Sequence, residues 1–419
     1  MDSLRYIHAA DLHLDTPFRG IAQTDGQLSR LLREAAFTAM ERLFRFCESE
    51  KPDFLVLAGD IYNQEDHSIK AQLALRDGCV RLQRLGIHVF LAHGNHDPLS
   101  SRLAAVTWPD NVTIFGPAPE QHVFEKNGTP LAVVHGISHE RNKESRNLAK
   151  LFRRDARHDC FQLGVLHCAV EGQTAGQQSY APCSLENLRD AGLDAWALGH
   201  VHERRVLSDT PFIAYCGNSQ GLHINEAGER GCFLVTVQPQ SGRFVCEESF
   251  LRLGPVQWEC LRLDLEGMSK IDDMEQRLGQ LLQDKADEAG PGCEALVVRV
   301  LLAGYTEIDA ALRQPDCLPT VAGRLAHLHE SASPGIWIKD FQLQTQPVMV
   351  RDPTRNDLLG CVWQCAEEME KNTEKLQDAV NKILASRPAL LKKLTMVNEE
   401  EKKQLLHEAE RLCAGLLLP

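Results

Sequence analysis

Asp11-Leu12-His13, Gly59-Asp60, Gly94-Asn95-His96-Asp97, His167 and Gly199-His200-Val201-His202 are the residues whose types and spacing could do chemistry together. Carboxylates, imidazoles and one carboxamide make a mixed donor set, suited to borderline-hard cations such as manganese or iron rather than soft ones. Two divalent cations about 3.5–4 Å apart can clamp both the attacking and the leaving oxygen of a phosphoryl displacement. A carboxylate can bridge such a pair, and Asp60 is the natural candidate. Any one of these motifs arises by chance or as ordinary polar surface. Their weight comes from occurring together, each after an apolar run.

Those runs are the elements that must position the site. Strands are expected at Leu4–Ala10, Asp53–Ala58, Ile87–Ala92, Val112–Phe115, Leu131–His135, Phe161–Cys168, Asp194–Gly199, Phe212–Cys216 and Cys232–Val237. Amphipathic stretches at Leu28–Glu50 and Ser68–Leu85 predict helices between the early ones. Such alternation predicts a layered α/β domain whose functional loops follow strand C-termini. Strand ends converge on one edge of an α/β sheet, so residues distant in sequence can meet there.

After Gly254-Pro255 the pattern changes. Gln257–Leu265, Glu294–Leu302 and Gly335–Gln344 read as strands separated by helices, a small α/β module. From Asn356 the chain reads as helix, with breaks near Ser386-Arg387-Pro388 and Val397-Asn398. The expected domains are residues 1–253, 254–346 and 347–419, more than one core, as 419 residues imply.

Hydrophobic content of 43% and charged content of 25% are those of a soluble globular protein. No apolar run approaches the roughly 20 residues of a membrane span, and the N-terminus carries no signal-peptide pattern. A cytoplasmic protein without membrane contact is expected. The 14 cysteines are scattered without a C-x-x-C pair, which reads as reduced, buried thiols. A net charge of −13 argues against coating nucleic acid with the whole surface. Locally, however, Arg141, Lys143, Arg146, Lys150, Arg153, Arg154 and Arg157 face only Glu144 and Asp155 in their run. This run could neutralise a nucleic-acid backbone or be the charged face of a solvated helix.

Together the motifs over residues 4–237 resemble those of the calcineurin-like metallophosphoesterases. That resemblance implies a β-sandwich flanked by helices, an α/β fold with a small capping domain and a helical tail. It implies one divalent site of Asp11, His13, Asp60 and His202, and a second of Asp60, Asn95, His167 and His200. It makes His96 the residue that contacts the scissile phosphate and protonates the leaving group, with Asp97 orienting its imidazole. The metals implied are two Mn2+ ions, with Fe, Mg or Zn as alternatives. His135, His139 and His223 also lie near candidate loops, and structural or surface roles are expected for them.

Within that superfamily, His8-Ala9-Ala10-Asp11-Leu12-His13-Leu14, Leu91-Ala92-His93-Gly94-Asn95-His96-Asp97 and Gly217-Asn218-Ser219-Gln220-Gly221 resemble SbcD-like DNA repair exonucleases of the YhaO type. The resemblance implies DNA as substrate and makes Asn63 a position that helps place it, while Arg141, Arg146, Lys150, Arg153 and Arg154 of the basic run are the backbone contacts their charge allows. Two departures stand out: Asn63 occupies a position where related nucleases often carry His or Asp, and Leu222 one where a basic residue is expected. The resemblance also implies an SMC-like ATPase partner bound through the C-terminal helices, and allows a homodimer. Leu358, Leu359, Val362, Trp363, Ala366 and Met369, and then Leu405, Leu406, Ala409, Leu412, Cys413 and Leu416, recur at helical spacing to make apolar stripes. Asn398 is expected to cap the last helix, with Glu401 in capping-box position. A small-molecule phosphoesterase and a non-catalytic scaffold remain the alternatives to a nuclease.

Overall fold

The computed structural model describes residues 4–16, 26–63, 68–101, 106–172, 180–328, 333–348, 351–352, 354–386 and 399–417. Fully or nearly fully buried apolar runs form Leu4–Ala9 (β1), Phe54–Ala58 (β2) and His88–Ala92 (β3). Then come Val112–Ile114 (β4), Glu120–Lys126 (β5), Thr129–Ile137 (β6), Phe161–His167 (β7), Ala195–Gly199 (β8) and Arg205–Asp209 (β9). Phe212–Tyr215 (β10), Gly231–Gln240 (β11) and Arg243–Arg252 (β12) complete the set. These strands make two six-stranded sheets, ordered β12-β11-β1-β2-β3-β4 and β5-β6-β7-β8-β10-β9.

One apolar cluster joins the sheets face to face. Tyr6, Phe54, Val56 and Phe90 of the first interleave with Phe161, Leu163, Val165 and Ala197 of the second. Each such buried side chain contributes roughly 1.5–3 kcal/mol of transfer free energy. The outer face of the first sheet is covered by the apolar stripes of Gly26–Glu50 (α1) and Ile69–Arg84 (α2), including Leu43, Phe44, Leu75 and Leu82. Ser68 caps α2, its side chain accepting from the Ala71 amide. The outer face of the second sheet is covered by the segment around Leu148–Leu151 and by Leu185–Asp190 (α3). The layers run helix, sheet, sheet, helix, the sandwich that the resemblance implied.

The three strands without a counterpart in the sequence reading are β5, β9 and β12, and all are edge strands. Their side chains are half-buried or exposed throughout, so no continuous buried run marks them. Paired on one side only, they owe their conformation to the neighbouring strand.

Beyond the sandwich, Val256–Asp264 (β13), Ala295–Thr306 (β14) and Gly335–Pro347 (β15) form a three-stranded sheet. Ile271–Ala289 (α4) lies between the first two in sequence; Asp309–Leu312 (α5) and Cys317–Leu328 (α6) lie between the last two. Leu358–Lys371 (α7), Thr373–Ser386 (α8) and Glu399–Leu417 (α9) follow. The breaks near residue 387 and at 397–398, including Asn398, fall outside the described residues. Two compact units are distinguishable: residues 1–261, 279–300 and 322–341, and residues 262–278, 301–321 and 342–419. No helix among the described residues is long and apolar enough to cross a membrane. All 14 cysteines are free.

Candidate metal centre

The parallel strands β1, β2 and β3 lie side by side in one sheet, and β7 and β8 lie side by side in the other. Each ends at the same edge of the sandwich and hands its next residues to one place. Asp11 and His13 follow β1, Asp60 follows β2, Asn95 to Asp97 follow β3, His167 ends β7, and His200 and His202 follow β8. The turns needed are not relaxed ones. Asp11 (φ 49), His13 (φ 45), Asp60 (φ 51) and His200 (φ 100) all take left-handed backbone conformations. For non-glycine residues this costs on the order of 1–3 kcal/mol each, held by the surrounding bonds. Asp11 donates its amide to the Gly59 carbonyl and His13 donates to that of Asp60, both at 3.0 Å. The His200 amide donates to the Asp11 carboxylate at 3.1 Å.

Close approach also requires two glycines. A Cβ on Gly94 would lie 2.2 Å from Asp60 Oδ1, and one on Gly199 would lie 1.9 Å from the Ala58 carbonyl oxygen. In both cases a side chain would displace the loop that carries a site residue.

Two trios of donor atoms meet: Asp11, His13 and His202, and Asp11, Asp60 and His167, with each trio's atoms within 4.8 Å of one another. Asp60 Oδ2 stands 3.3 Å from His167 Nε2 and 3.9 Å from His13 Nε2, between the two rings. Asp11 Oδ1 is 4.0 Å from both His167 Nδ1 and His202 Nε2. Asn95 Oδ1 is 3.0 Å from His167 Nε2. The His200 ring lies edge-on to that of His167, centroids 5.3 Å apart, and edge-on to that of Tyr180 at 5.7 Å. All seven expected ligands therefore share one small volume.

The donor set itself shows what fits there. His167 Nδ1 faces the Ala58 carbonyl at 3.1 Å, which can only accept, so Nδ1 carries a proton. Its Nε2 then points at two further acceptors, Asn95 Oδ1 and Asp60 Oδ2. Acceptors facing acceptors need a positive charge between them, either a second proton or a metal cation. Electrostatics tell the same story. Burial opposes charge on His167, yet Asp60 and Asp11 overcome it and hold the imidazole up at about 9. Burial would raise Asp60, but His167 and His13 draw it well below the usual carboxylate range. Burial dominates at Asp11, pushing it up to about 6, and at His13, where it and His202 push the imidazole down to about 3. This pocket of buried carboxylates and imidazole nitrogens fits divalent cations.

His96 is only half-buried, and its ring lies edge-on to that of His13, centroids 5.0 Å apart. Its backbone amide donates to Asp60 Oδ1 at 2.8 Å. Asp97 differs from expectation. It is fully buried, accepting from the Gly94 amide (2.8 Å), the Ile61 amide (3.0 Å) and His93 Nδ1 (3.1 Å). Its oxygens are thus spent on the loop backbone and on His93 rather than on the His96 ring. Asn63 sits half-buried just beyond the loop after β2.

The basic run is not a solvated helix. Apart from the single turn Leu148–Leu151 it is irregular, and much of its charge is paired locally. Arg146 binds Glu144 at 2.6 Å, Arg154 binds Asp194 at 2.8 Å and Arg157 binds Asp155 at 2.8 Å. Arg153 donates to the Lys150 and Phe152 carbonyls. Arg141, Lys143, Lys150 and Arg153 have no acidic partner among the described residues.

Sequence reasoning missed the supports behind these side chains. Glu226 Oε1 lies 2.7 Å from His202 Nδ1. Burial would raise this carboxyl, but His202 holds it down at about 2. His139 donates to the His167 carbonyl oxygen at 2.7 Å, and His8 to that of Leu198 at 3.0 Å. Nothing local in the sequence marks Glu226, since its partner is 24 residues away. A further trio, Glu370, His407 and Glu410, lies at the chain's C-terminal helices. Arg351 already fills it, pairing with both carboxylates.

Residues 4–204 match the calcineurin-like phosphoesterase family, and residues 258–346 match the middle domain of the metallophosphoesterase YhaO. The chain is 35% identical over 301 residues to the uncharacterized metallophosphoesterase YhaO of Bacillus subtilis, covering 71% of this chain and 72% of that protein. It is 25% identical over 185 residues to the DNA double-strand break repair protein Mre11 of Methanocaldococcus jannaschii, covering 42% of this chain and 48% of that one. With the SbcD component of the nuclease SbcCD of Escherichia coli K12 the identity is 24% over 264 residues, covering 54% and 63%.

Proposed function

Since this chain belongs to the calcineurin-like phosphoesterase family, we propose that it is a two-metal phosphodiesterase that cleaves DNA as the nuclease subunit of a repair assembly. The observation that carries the reading is the convergence of seven metal-type ligands beside a half-buried histidine at one sandwich edge. Members of the family bind divalent metals. In this reading Asp11, His13, Asp60 and His202 hold one cation, Asp60, Asn95, His167 and His200 hold the other, and manganese suits the set. Bound cations would supply neutralisation of phosphoryl charge and activation of water near neutral pH.

The chain's own residues do the rest. Asp60 presents Oδ2 to both halves of the site, while its Oδ1 anchors the backbone of His96. His96, half-buried beside the centre, delivers a ring proton to the leaving oxygen. Asp97 acts one step removed, by fixing the Gly94–His96 loop that carries both Asn95 and His96. The capping and tail assignments, residues 254–346 and 347–419, belong to this proposal, as does a cytoplasmic setting.

DNA as substrate draws support from relatives named as a DNA double-strand break repair protein and as a nuclease subunit, and from the cations of residues 141–153 that lack an acidic partner among the described residues. The pairing of Arg146, Arg154 and Arg157 with carboxylates of this chain favours a second reading, a small-molecule phosphodiester as substrate. One experiment separates the two. Replacing Arg141, Lys143, Lys150 and Arg153 with Gln leaves the internal ion pairs intact. On labelled DNA with manganese, the variant is expected to bind more weakly and with a flatter salt dependence, by up to about one unit of slope for each phosphate no longer neutralised. Turnover of a small chromogenic phosphodiester should stay unchanged. If the parent cleaves only the small substrate, the DNA reading is wrong.

The ATPase partner draws support from the tail. Leu359, Trp363 and Ala366 of α7 are buried, whereas Leu405 and Leu412 of α9 are 44% and 61% exposed on an apolar stripe. Such a stripe fits a helix-in-groove mode of recognition. A cut near Thr345 would be unsuitable for testing this, because its buried hydroxyl donates to Asp309 at 2.6 Å. Substituting Leu405 and Leu412 with Asp is the cleaner probe. Co-elution with the SMC-like ATPase should be lost, with phosphodiesterase activity and melting temperature retained. Unimpaired co-elution would leave the stripe without this role.

A further inference from the structure

We infer that Glu226 is a positioning residue for one of the two cation sites, acting through His202. The inference rests on the two-metal reading above. Both oxygens of this buried carboxylate are spent on donors. Oε1 accepts from His202 Nδ1 at 2.7 Å, and Oε2 accepts from Asn218 Nδ2 at 2.9 Å and from the Leu222 amide at 2.7 Å. His223 Nε2 stands 3.4 Å from Oε1 on the exposed side. An ionised carboxylate has no proton to give, so His202 Nδ1 keeps its own. The Nε2 lone pair of His202 is thereby left facing the centre, 3.0 Å from His13 Nε2 and 4.0 Å from Asp11 Oδ1.

The carboxylate is itself held on both sides. Asn218 Oδ1 accepts from Arg230 Nη1 at 3.2 Å, and the Asn218 amide donates to the His202 carbonyl at 3.2 Å. Arg230 also donates to that His202 carbonyl and, at 2.9 Å, to that of Ala227. Ring, carboxylate and both flanking loops therefore form one closed set.

His167 gives the contrast, because its Nδ1 hydrogen-bonds to a neutral carbonyl at 3.1 Å, with the Asp11 carboxylate beyond hydrogen-bond reach at 4.0 Å. A carboxylate on the far nitrogen makes an imidazole a stronger donor than a carbonyl does, and such outer partners govern metal affinity by about 10–100-fold. The two cations are therefore held unequally, and loss of Glu226 weakens the His202 side alone.

The test is calorimetric titration of the metal-free, full-length chain with manganese chloride. Glu226→Gln places an N–H where both native oxygens accept. The amide either abandons Asn218 and Leu222 or turns toward His202 and forces its proton onto Nε2. One of two equivalents should weaken about 10–100-fold, while the other keeps parental affinity. Adding Glu226→Gln to His202→Ala should weaken binding no further, because its effect passes through that ring. Parental affinity for both equivalents in the single variant, or additive losses in the double, overturns the inference. A parent chain that binds fewer than two equivalents overturns the two-metal reading instead. Should the glutamine variant fail to fold, Glu226→Asp withdraws the charge by one methylene. It should weaken the same equivalent by a smaller factor, and unchanged affinity would again overturn the inference.

Discussion

Asp60→Ala should abolish phosphodiesterase activity and strip the centre of metal. Asp60 presents one oxygen to two imidazoles, with His167 Nε2 at 3.3 Å and His13 Nε2 at 3.9 Å, closer than the 4.0 Å at which Asp11 Oδ1 meets His167 and His202. Its second oxygen holds the His96 amide, so the same deletion loosens the loop that carries the proposed acid. Removing one partner of a buried charged pair also costs about 3–5 kcal/mol of stability. Asp60→Asn is therefore the companion variant, keeping the shape while removing the charge. Metal content by emission spectroscopy and turnover on a chromogenic phosphodiester decide the matter. Two full equivalents with parental turnover in either variant would refute the assignment.

His96→Ala should separate chemistry from metal binding. General-acid help contributes about 10²–10⁴-fold, so turnover should fall by that factor. Metal content should not change, because the ring of His96 belongs to neither donor trio and only its backbone amide touches Asp60. The loss should be largest on substrates with poor leaving groups, which need the proton most, and smallest on nitrophenyl esters, whose leaving group departs unaided. A variant as active as the parent on poor leaving groups would remove His96 from the mechanism. Loss of metal alongside turnover would make it a ligand or a support instead.

The fold and the ligands were legible for different reasons. Central strands such as Phe54–Ala58 are buried on both faces, so their apolar runs declare them without help. The helices α1 and α2 bury one stripe each, and the 3.6-residue period shows it. Edge strands β5, β9 and β12 bury no residue fully, and their conformation comes from pairing, which a linear pattern does not contain. The same limit applies to α9, whose apolar stripe was visible although its exposure was not.

By itself, the sequence determined the chemical inventory: which carboxylates, imidazoles and amide follow which strands, and hence that a donor set for divalent cations could assemble at one sheet edge. Side-chain type and strand period are local properties, so this much needs no third dimension. Tertiary structure decided the pairings. It turned Asp97 from the His96 ring to His93 and the loop amides, and paired Arg154 with Asp194, 40 residues on. It also brought Glu226 across 24 residues onto His202. A hydrogen bond or ion pair forms with whichever partner lies within about 3 Å at a suitable angle, and that distance is set by how the loops cross in space, not by their order along the chain.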